Sequence, residues 1–322
     1  MESSIQPLIA VNNVRKRFNL EAGFFAPLGR YVFAVNGLSF EIGNNESYGL
    51  AGESGCGKTT AARLLVRMYA HDEGTICYRG TDVASYSKKE LTHYRQKVKY
   101  IFQDPARSLN PRMSIYDILV SGRRWSEGRC EEKSLRQEAS AILEEVGLSA
   151  ADLERRPAEF SGGQRQRISI ARGLFMEPEL LICDEVVSAL DVSIQAQILN
   201  LLMDIRRRRD LSFLFIAHDL KVACWFCDRI GVMYRGELME EAPAADLYRT
   251  AAHPYTQLLF SSILSGNEKE SCGIKGEVRT ALEETRGCAF AERCPRAKGR
   301  CFREKPELLE TSPDHRLRCH NA

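Results

Sequence analysis

The chain has 322 residues, 44% hydrophobic and 27% charged, with a formal net charge of +2. That length predicts two domains, or one large domain with an appendage, around a sizeable core. The near-neutral balance gives no support to a nucleic-acid surface. No apolar run approaches the ~20 residues that span a bilayer, and residues 1–7 carry neither a basic nor an apolar leader region. The chain is therefore expected to be cytosolic, able to dock on a membrane protein.

Residues 8–14, 31–35 and 38–42 read as short β runs with turn residues between them, which predicts a small antiparallel layer. The apolar run 47–51 then leads into Gly52-Glu53-Ser54-Gly55-Cys56-Gly57-Lys58-Thr59-Thr60, and 60–68 is helical in composition. This string fits the phosphate-binding loop G-x-x-x-x-G-K-[ST] in full and has the strand–loop–helix context that the motif needs. Glycines let consecutive N–H groups wrap an anion, and the helix N-terminus adds partial positive charge. Lys58 is expected to reach the β/γ-phosphates and Thr59 to hold Mg²⁺.

Strand and helix alternate through 75–101, ending in a strand at 98–102. Residues 114–150 are helical in period, with Gly147 as a C-terminal cap. From 166 the pattern resumes: helix 166–176, strand 180–183, helix 194–208, then strands 213–217 and 230–234. A helical segment inserted in a nucleotide-binding α/β core follows from that order. The run Leu180-Leu181-Ile182-Cys183-Asp184-Glu185 ends a buried strand in two acids. Asp184 there is placed to hold Mg²⁺, directly or through water, and Glu185 to orient the attacking water. In Phe160-Ser161-Gly162-Gly163-Gln164-Arg165-Gln166-Arg167, Ser161 is a natural helix N-cap, and the glycine pair allows close approach to an anion.

Ser161-Gly162-Gly163-Gln164 resembles the signature motif of ATP-binding-cassette (ABC) ATPases, and the order of the other motifs is similar to that family. By that resemblance Gln103, in Ile101-Phe102-Gln103-Asp104-Pro105, is the Q-loop glutamine near Mg²⁺ and the lytic water. Ser188-Ala189-Leu190-Asp191 resembles the D-loop, with Asp191 as its acid. His218, about 35 residues beyond Asp184 at a strand end, resembles the switch histidine of the γ-phosphate. The likeness covers residues 8–265 and six motifs in order. It implies an adenine-stacking aromatic near the N-terminus, either Phe18 or Tyr31. Two departures stand out: Val186-Val187 replace the usual Pro-Thr, and Asn45 stands where the family often has Gly.

Residues 103–112, His253-Pro254-Tyr255-Thr256 and the ending from Gly287 to Cys319 resemble the oligopeptide/dipeptide (and nickel) permease branch of ABC importers. Four of the eleven cysteines, Cys288, Cys294, Cys301 and Cys319, crowd that tail with spacing C-x5-C-x6-C-x17-C. Four thiolates suit zinc or an iron–sulfur cluster, and the gaps match neither the CxxC zinc knuckle nor the ferredoxin run. The resemblance favours a structural [4Fe-4S] cluster, with Zn²⁺ or unmetallated thiols as the alternatives. Cys224 and Cys227 read as core packing, and Arg206 to Arg209 as a solvated helix end.

The implied fold is α/β: a P-loop ABC ATPase core, with a RecA-like sheet and an antiparallel β layer. A helical subdomain is inserted, and a small Cys-rich C-terminal extension follows. Residues 1–250 are expected to form the ATPase domain, with the helical subdomain at about 106–165, and 251–322 the extension. The implied activity is ATP hydrolysis powering an importer of di- or oligopeptides or a related small solute. The implied partners are a second ABC ATPase subunit (commonly a paralogue), two permease subunits and, indirectly, an extracytoplasmic solute-binding protein. Such a chain sits peripherally on the cytoplasmic face of the inner membrane. The alternatives are an accessory ABC ATPase of a soluble enzyme complex and a nickel or opine importer.

Overall fold

The computed structural model describes residues 6–19, 31–127, 131–188, 190–264 and 286–321. Residues 1–5, Cys130 and Cys272 lie outside them. The first half of the chain runs β1 (Ile9–Asn19), β2 (Tyr31–Ile42), β3 (Ser47–Ala51), α1 (Lys58–Leu65), β4 (Glu73–Tyr78), β5 (Thr81–Asp82), α2 (Lys88–Lys97), β6 (Val98–Ile101), α3 (Pro105–Ser108), α4 (Ile115–Glu127) and α5 (Glu132–Glu145). It continues with α6 (Gly162–Leu174), β7 (Leu180–Asp184), α7 (Val192–Arg208), β8 (Ser212–Ala217), α8 (Leu220–Phe226), β9 (Arg229–Tyr234), β10 (Glu237–Pro243), α9 (Ala244–Thr250), α10 (Pro254–Leu264), β11 (Leu309–Ser312) and β12 (His315–Leu317). Contacts divide it into two units, residues 1–85 with 215–322, and residues 86–214.

In the first unit β2-β1-β4-β5 form an antiparallel sheet. The two β runs expected at 31–42 are one strand, β2. Its register against β1 slips between Val14↔Leu38 and Arg15↔Asn36, so the turn residues between the runs make a bulge and not a break. Val11, Val14, Leu38, Phe40 and Ile76 face Ala61, Leu64 and Leu65 of α1. Asn45, where a glycine was expected, sits at φ 57. Asn is among the few side chains that adopt this left-handed conformation readily.

The same unit holds β3 parallel to β9, then β10, β12 and β11, each antiparallel to the last. Nothing in the polar run Glu237–Pro243 announces a buried strand, yet Glu237, Glu240 and Glu241 are all at most 1% exposed. Each has a cationic or polar partner, as buried carboxylates require. Glu237 accepts from Asn36 (2.9 Å) and Lys305 (2.8 Å), Glu240 pairs with His315 (2.8 Å), and Glu241 takes Arg229 (2.6 Å) and Arg316.

His253 explains its own motif. Its Nδ1 accepts the Tyr255 amide at 3.0 Å, starting α10, and the ring is buried. Burial lowers its pKa to about 4. A histidine that stays neutral in the fold but protonates near 6.5 when unfolded costs stability as pH falls from about 6.5 toward 4. His253→Asn keeps a capping acceptor without the titration. Its stability is expected to fall less than that of the unaltered chain over this window, measured by urea unfolding at pH 7 and pH 4.5.

In the second unit β6 is parallel to β7, with the start of β8 on the other side of β7. Helices α4, α5 and α6 pack on one another. Helix α5 closes with the Gly147 amide donating to the Glu144 carbonyl and the Leu148 amide to the Leu143 carbonyl, a Schellman end, as the sequence predicts. Arg209, read as part of a solvated helix end, instead grips Glu145 with two bonds of 3.0 and 2.6 Å. That partner lies 64 positions away, beyond reach of a local reading.

Candidate functional site

In the first unit, buried β3 delivers the phosphate loop and α1 begins at Lys58. The loop shape requires glycine at two points. Gly52 has φ +148, and a Cβ there would stand 2.2 Å from the Met233 carbonyl oxygen. At Gly57, with φ +109, it would stand 2.1 Å from the Ala34 carbonyl oxygen. The loop thus lies directly on β9 and β2. The Lys58 side chain curls back into it, donating to the carbonyls of Gly52 (2.7 Å) and Glu53 (2.9 Å), and is 4% exposed. Ser54 and Gly55 are exposed at the tip, and Thr59 and Thr60 are half-buried on α1. Cys56 is buried; burial raises its thiol pKa, against the opposing pull of Lys58, and keeps it unreactive.

His218 directly follows β8 and is exposed, so it is no core packing residue. Both adenine candidates lie on the antiparallel sheet. Phe18 pairs with Val32 and Tyr31 with Asn19, which turns the two rings to opposite faces. Phe18 meets Tyr69 edge-on at 5.3 Å, and Arg17 lies over Tyr31 at 4.9 Å. Cys227 packs its Sγ near Gly49 of β3, as the core reading expected.

In the second unit, β7 ends at Asp184, which is 3% exposed and accepts the Tyr100 hydroxyl. The next residue, Glu185, is in the left-handed region at φ 48, a costly conformation for this residue type. It turns the carboxylate to Gln103, whose Nε2 donates to Oε2 at 2.8 Å. Ser188 braces the turn, its amide and hydroxyl both donating to the Glu185 carbonyl at 3.1 and 2.9 Å. The structure therefore joins Gln103, Glu185 and Ser188 in one network. Such a network fixes a carboxylate as a general base needs. Ser188 and Tyr100 were missed as positioning groups. Ser188 stood in the D-loop string without an assigned role, and nothing local marked Tyr100.

Ser161 caps α6 in a full capping box: the Gln164 amide donates to Ser161 Oγ at 3.3 Å and the Ser161 amide donates to Gln164 Oε1 at 2.9 Å. Helix α6 so begins at Gly162, four residues before the expected start. Ser161 and Gly162 are exposed. Gly163 has a packing reason of its own: a Cβ would stand 2.7 Å from Ile194 Cγ2 of α7. Asp191 is the N-cap residue of α7 and exposed, and its carboxylate makes no capping bond. Ser161→Ala is expected to cost about 1 kcal/mol of stability through the lost cap, read from the urea midpoint.

Residues 35–188 match the family described as "ABC transporter", and residues 239–301 match "Oligopeptide/dipeptide transporter, C-terminal region". The chain is 42% identical over 319 residues to the putative oligopeptide transport ATP-binding protein YkfD of Bacillus subtilis, covering 98% of this chain and 95% of that one. It is 40% identical over 321 residues to AppF, an oligopeptide transport ATP-binding protein of the same organism, with 98% and 97% covered. The chain belongs to the ABC transporter family of ATP-binding proteins. A putative peptide import ATP-binding protein of Brucella ovis is 41% identical over 316 residues, with 97% of each chain covered.

The fold of this ABC ATPase is that of solved cassettes. The dimeric, ADP- and phosphate-bound cassette MJ0796 superposes with a TM-score of 0.65 at 24% identity, over 73% of this chain and 98% of that one. CbiO1 of Clostridium perfringens does so at 0.65 and 21%, over 80% and 95%. Among the described residues, no helix of the ABC ATPase is long and apolar enough to cross a membrane.

The second matched region carries three of the four tail cysteines, and Cys319 lies beyond it. None of the four is in a disulfide. Burial raises the Cys288 thiol to about 11, and Cys301, Cys319 and Cys294 are near enough to push it the same way. The thiols are held by protein donors: Cys301 by the Lys298 amide (3.5 Å), Cys319 by the Asn321 amide (3.4 Å). Among the described residues, no group of three or more His, Cys, Asp or Glu is set to hold a metal ion. The four thiols share one lobe, near enough for Cys301, Cys319 and Cys294 to act on Cys288, but not as the close-set ligands of a single ion.

Proposed function

We propose that this ABC ATPase powers the import of di- or oligopeptides, or a related small solute, through a membrane permease. The observation that carries the reading is the near-full-length relationship to peptide import ATP-binding proteins, which spans phosphate loop and C-terminal region alike. In this reading Gly52 to Thr60 bind the ATP phosphates, with Lys58 on the β/γ-phosphates. Thr59, Gln103 and Asp184 hold Mg²⁺, which supplies charge neutralisation on those phosphates. Glu185 takes the proton of the attacking water and His218 contacts the γ-phosphate. Phe18 or Tyr31 stacks on adenine. Ser161 to Gln164 and Asp191 serve the nucleotide of a second ATPase subunit, so that two cassettes close on ATP and drive two permease subunits from the cytoplasmic face.

For the tail, the proposed group is a structural [4Fe-4S] cluster on Cys288, Cys294, Cys301 and Cys319. A cluster takes one thiolate per iron, so it accepts thiols set farther apart than the ligands of one ion. The test of both readings is purification of the tagged chain from solubilised membranes under argon. Integral permease subunits and about four irons per chain are expected. Recovery with soluble enzyme subunits would replace the importer reading by that of an accessory ATPase, and an iron-free chain would end the cluster reading.

A further inference from the structure

The phosphate loop is held from a place far away in the sequence. Arg293, next to Cys294 in the tail, donates to both carboxylate oxygens of Glu53, at 2.9 and 3.1 Å. Its guanidinium side chain is only 7% exposed and also reaches the Tyr234 hydroxyl at 3.3 Å. The Glu53 amide donates to the Tyr255 hydroxyl at 2.9 Å. Around these, Phe290 is 1% exposed and packs against Tyr234 and Tyr255, with ring centroids 5.3 and 5.2 Å apart. Glu53 is thus fixed at both its side chain and its amide by the C-terminal region, while its carbonyl takes the Lys58 ammonium.

From this we infer that Arg293 is a positioning residue for nucleotide binding: the C-terminal lobe sets the shape of the phosphate loop through the Arg293–Glu53 pair. The physical case rests on geometry. A two-bond arginine–carboxylate pair fixes orientation as well as distance, and it is shielded from solvent here. Glu53 is the second residue of the loop, one step from Gly52, whose conformation decides where the loop amides point. Releasing the carboxylate lets that end of the loop move and leaves the amides less ready for phosphate, which weakens binding more than chemistry.

The inference rests on the phosphate loop binding ATP, and the experiment separates the two. The full-length chain, purified with its partners, is titrated with a fluorescent MgATP analogue, and its ATPase KM and kcat are measured. If the unaltered chain binds no nucleotide, the loop reading itself has failed. If it binds, Arg293→Gln is expected to raise Kd and KM about tenfold, the scale of one charge-assisted hydrogen bond, with kcat within about twofold. Arg293→Lys keeps the charge and loses the fork, so it is expected to fall between. Glu53→Gln should match Arg293→Gln, and the double variant should be no worse than either single one, the mark of residues acting as a pair. Nucleotide affinity in Arg293→Gln within twofold of the unaltered chain overturns the inference. So does a double variant whose losses add. Parallel loss of kcat and thermal stability, with KM unchanged, also overturns it by making Arg293 a structural staple.

Discussion

Glu185→Gln is expected to bind MgATP normally and to lose turnover by about 10²–10⁴-fold, the range for a removed general base. The substitution keeps shape and removes the proton acceptor. The bond that matters is the one from Gln103 Nε2 to Glu185 Oε2, and an amide oxygen can still accept it. The strained backbone at φ 48 and the Ser188 brace are equally untouched, so a loss of rate reads as a loss of chemistry. Phosphate release at saturating ATP, beside the fluorescent nucleotide titration, measures it. Turnover like that of the unaltered chain would remove Glu185 from its role.

Lys58→Ala is expected to act on binding, with affinity for MgATP falling on the order of a hundredfold. In the structure the ammonium is satisfied by two loop carbonyls, Gly52 and Glu53. It is therefore already inside the loop, where phosphate oxygens are to be met by the surrounding amides. Removing it takes away the one full positive charge of the motif and leaves the two carbonyls without that donor. Isothermal titration of the variant checks this. Tight binding retained in the variant would count against the phosphate-loop reading.

The two substitutions draw on what the sequence shows best. The phosphate loop, the Asp184–Glu185 strand end and the Ser161 cap are each contiguous, so one short string holds both the residues and the backbone shape they need. The family order of motifs set Gln103 near the lytic water, but its bond to Glu185 was not anticipated and nothing local marked it. Interactions across long separations stayed hidden. Glu237, Glu240 and Glu241 gave no local sign of being buried, because the groups that make their burial tolerable, Arg229, Lys305, His315 and Arg316, come mostly from the distant tail. Arg293 and Glu53 are 240 residues apart and carry no shared pattern. The tail cysteines were legible as a group of four, but their spacing matched no familiar ligand pattern and left cluster, zinc and unmetallated thiols open; in the lobe, Cys301 and Cys319 accept the backbone amides of Lys298 and Asn321.

The central claim is that this chain carries half of each ATP site and that closure needs the exposed Ser161 end of a second cassette. Sedimentation of the Glu185→Gln chain with its co-purified ATPase partner tests it most directly. With MgATP the account predicts a two-cassette particle that falls apart when ADP replaces ATP. A single-cassette mass at every MgATP concentration, with hydrolysis by the unaltered chain constant per chain on dilution, would contradict it.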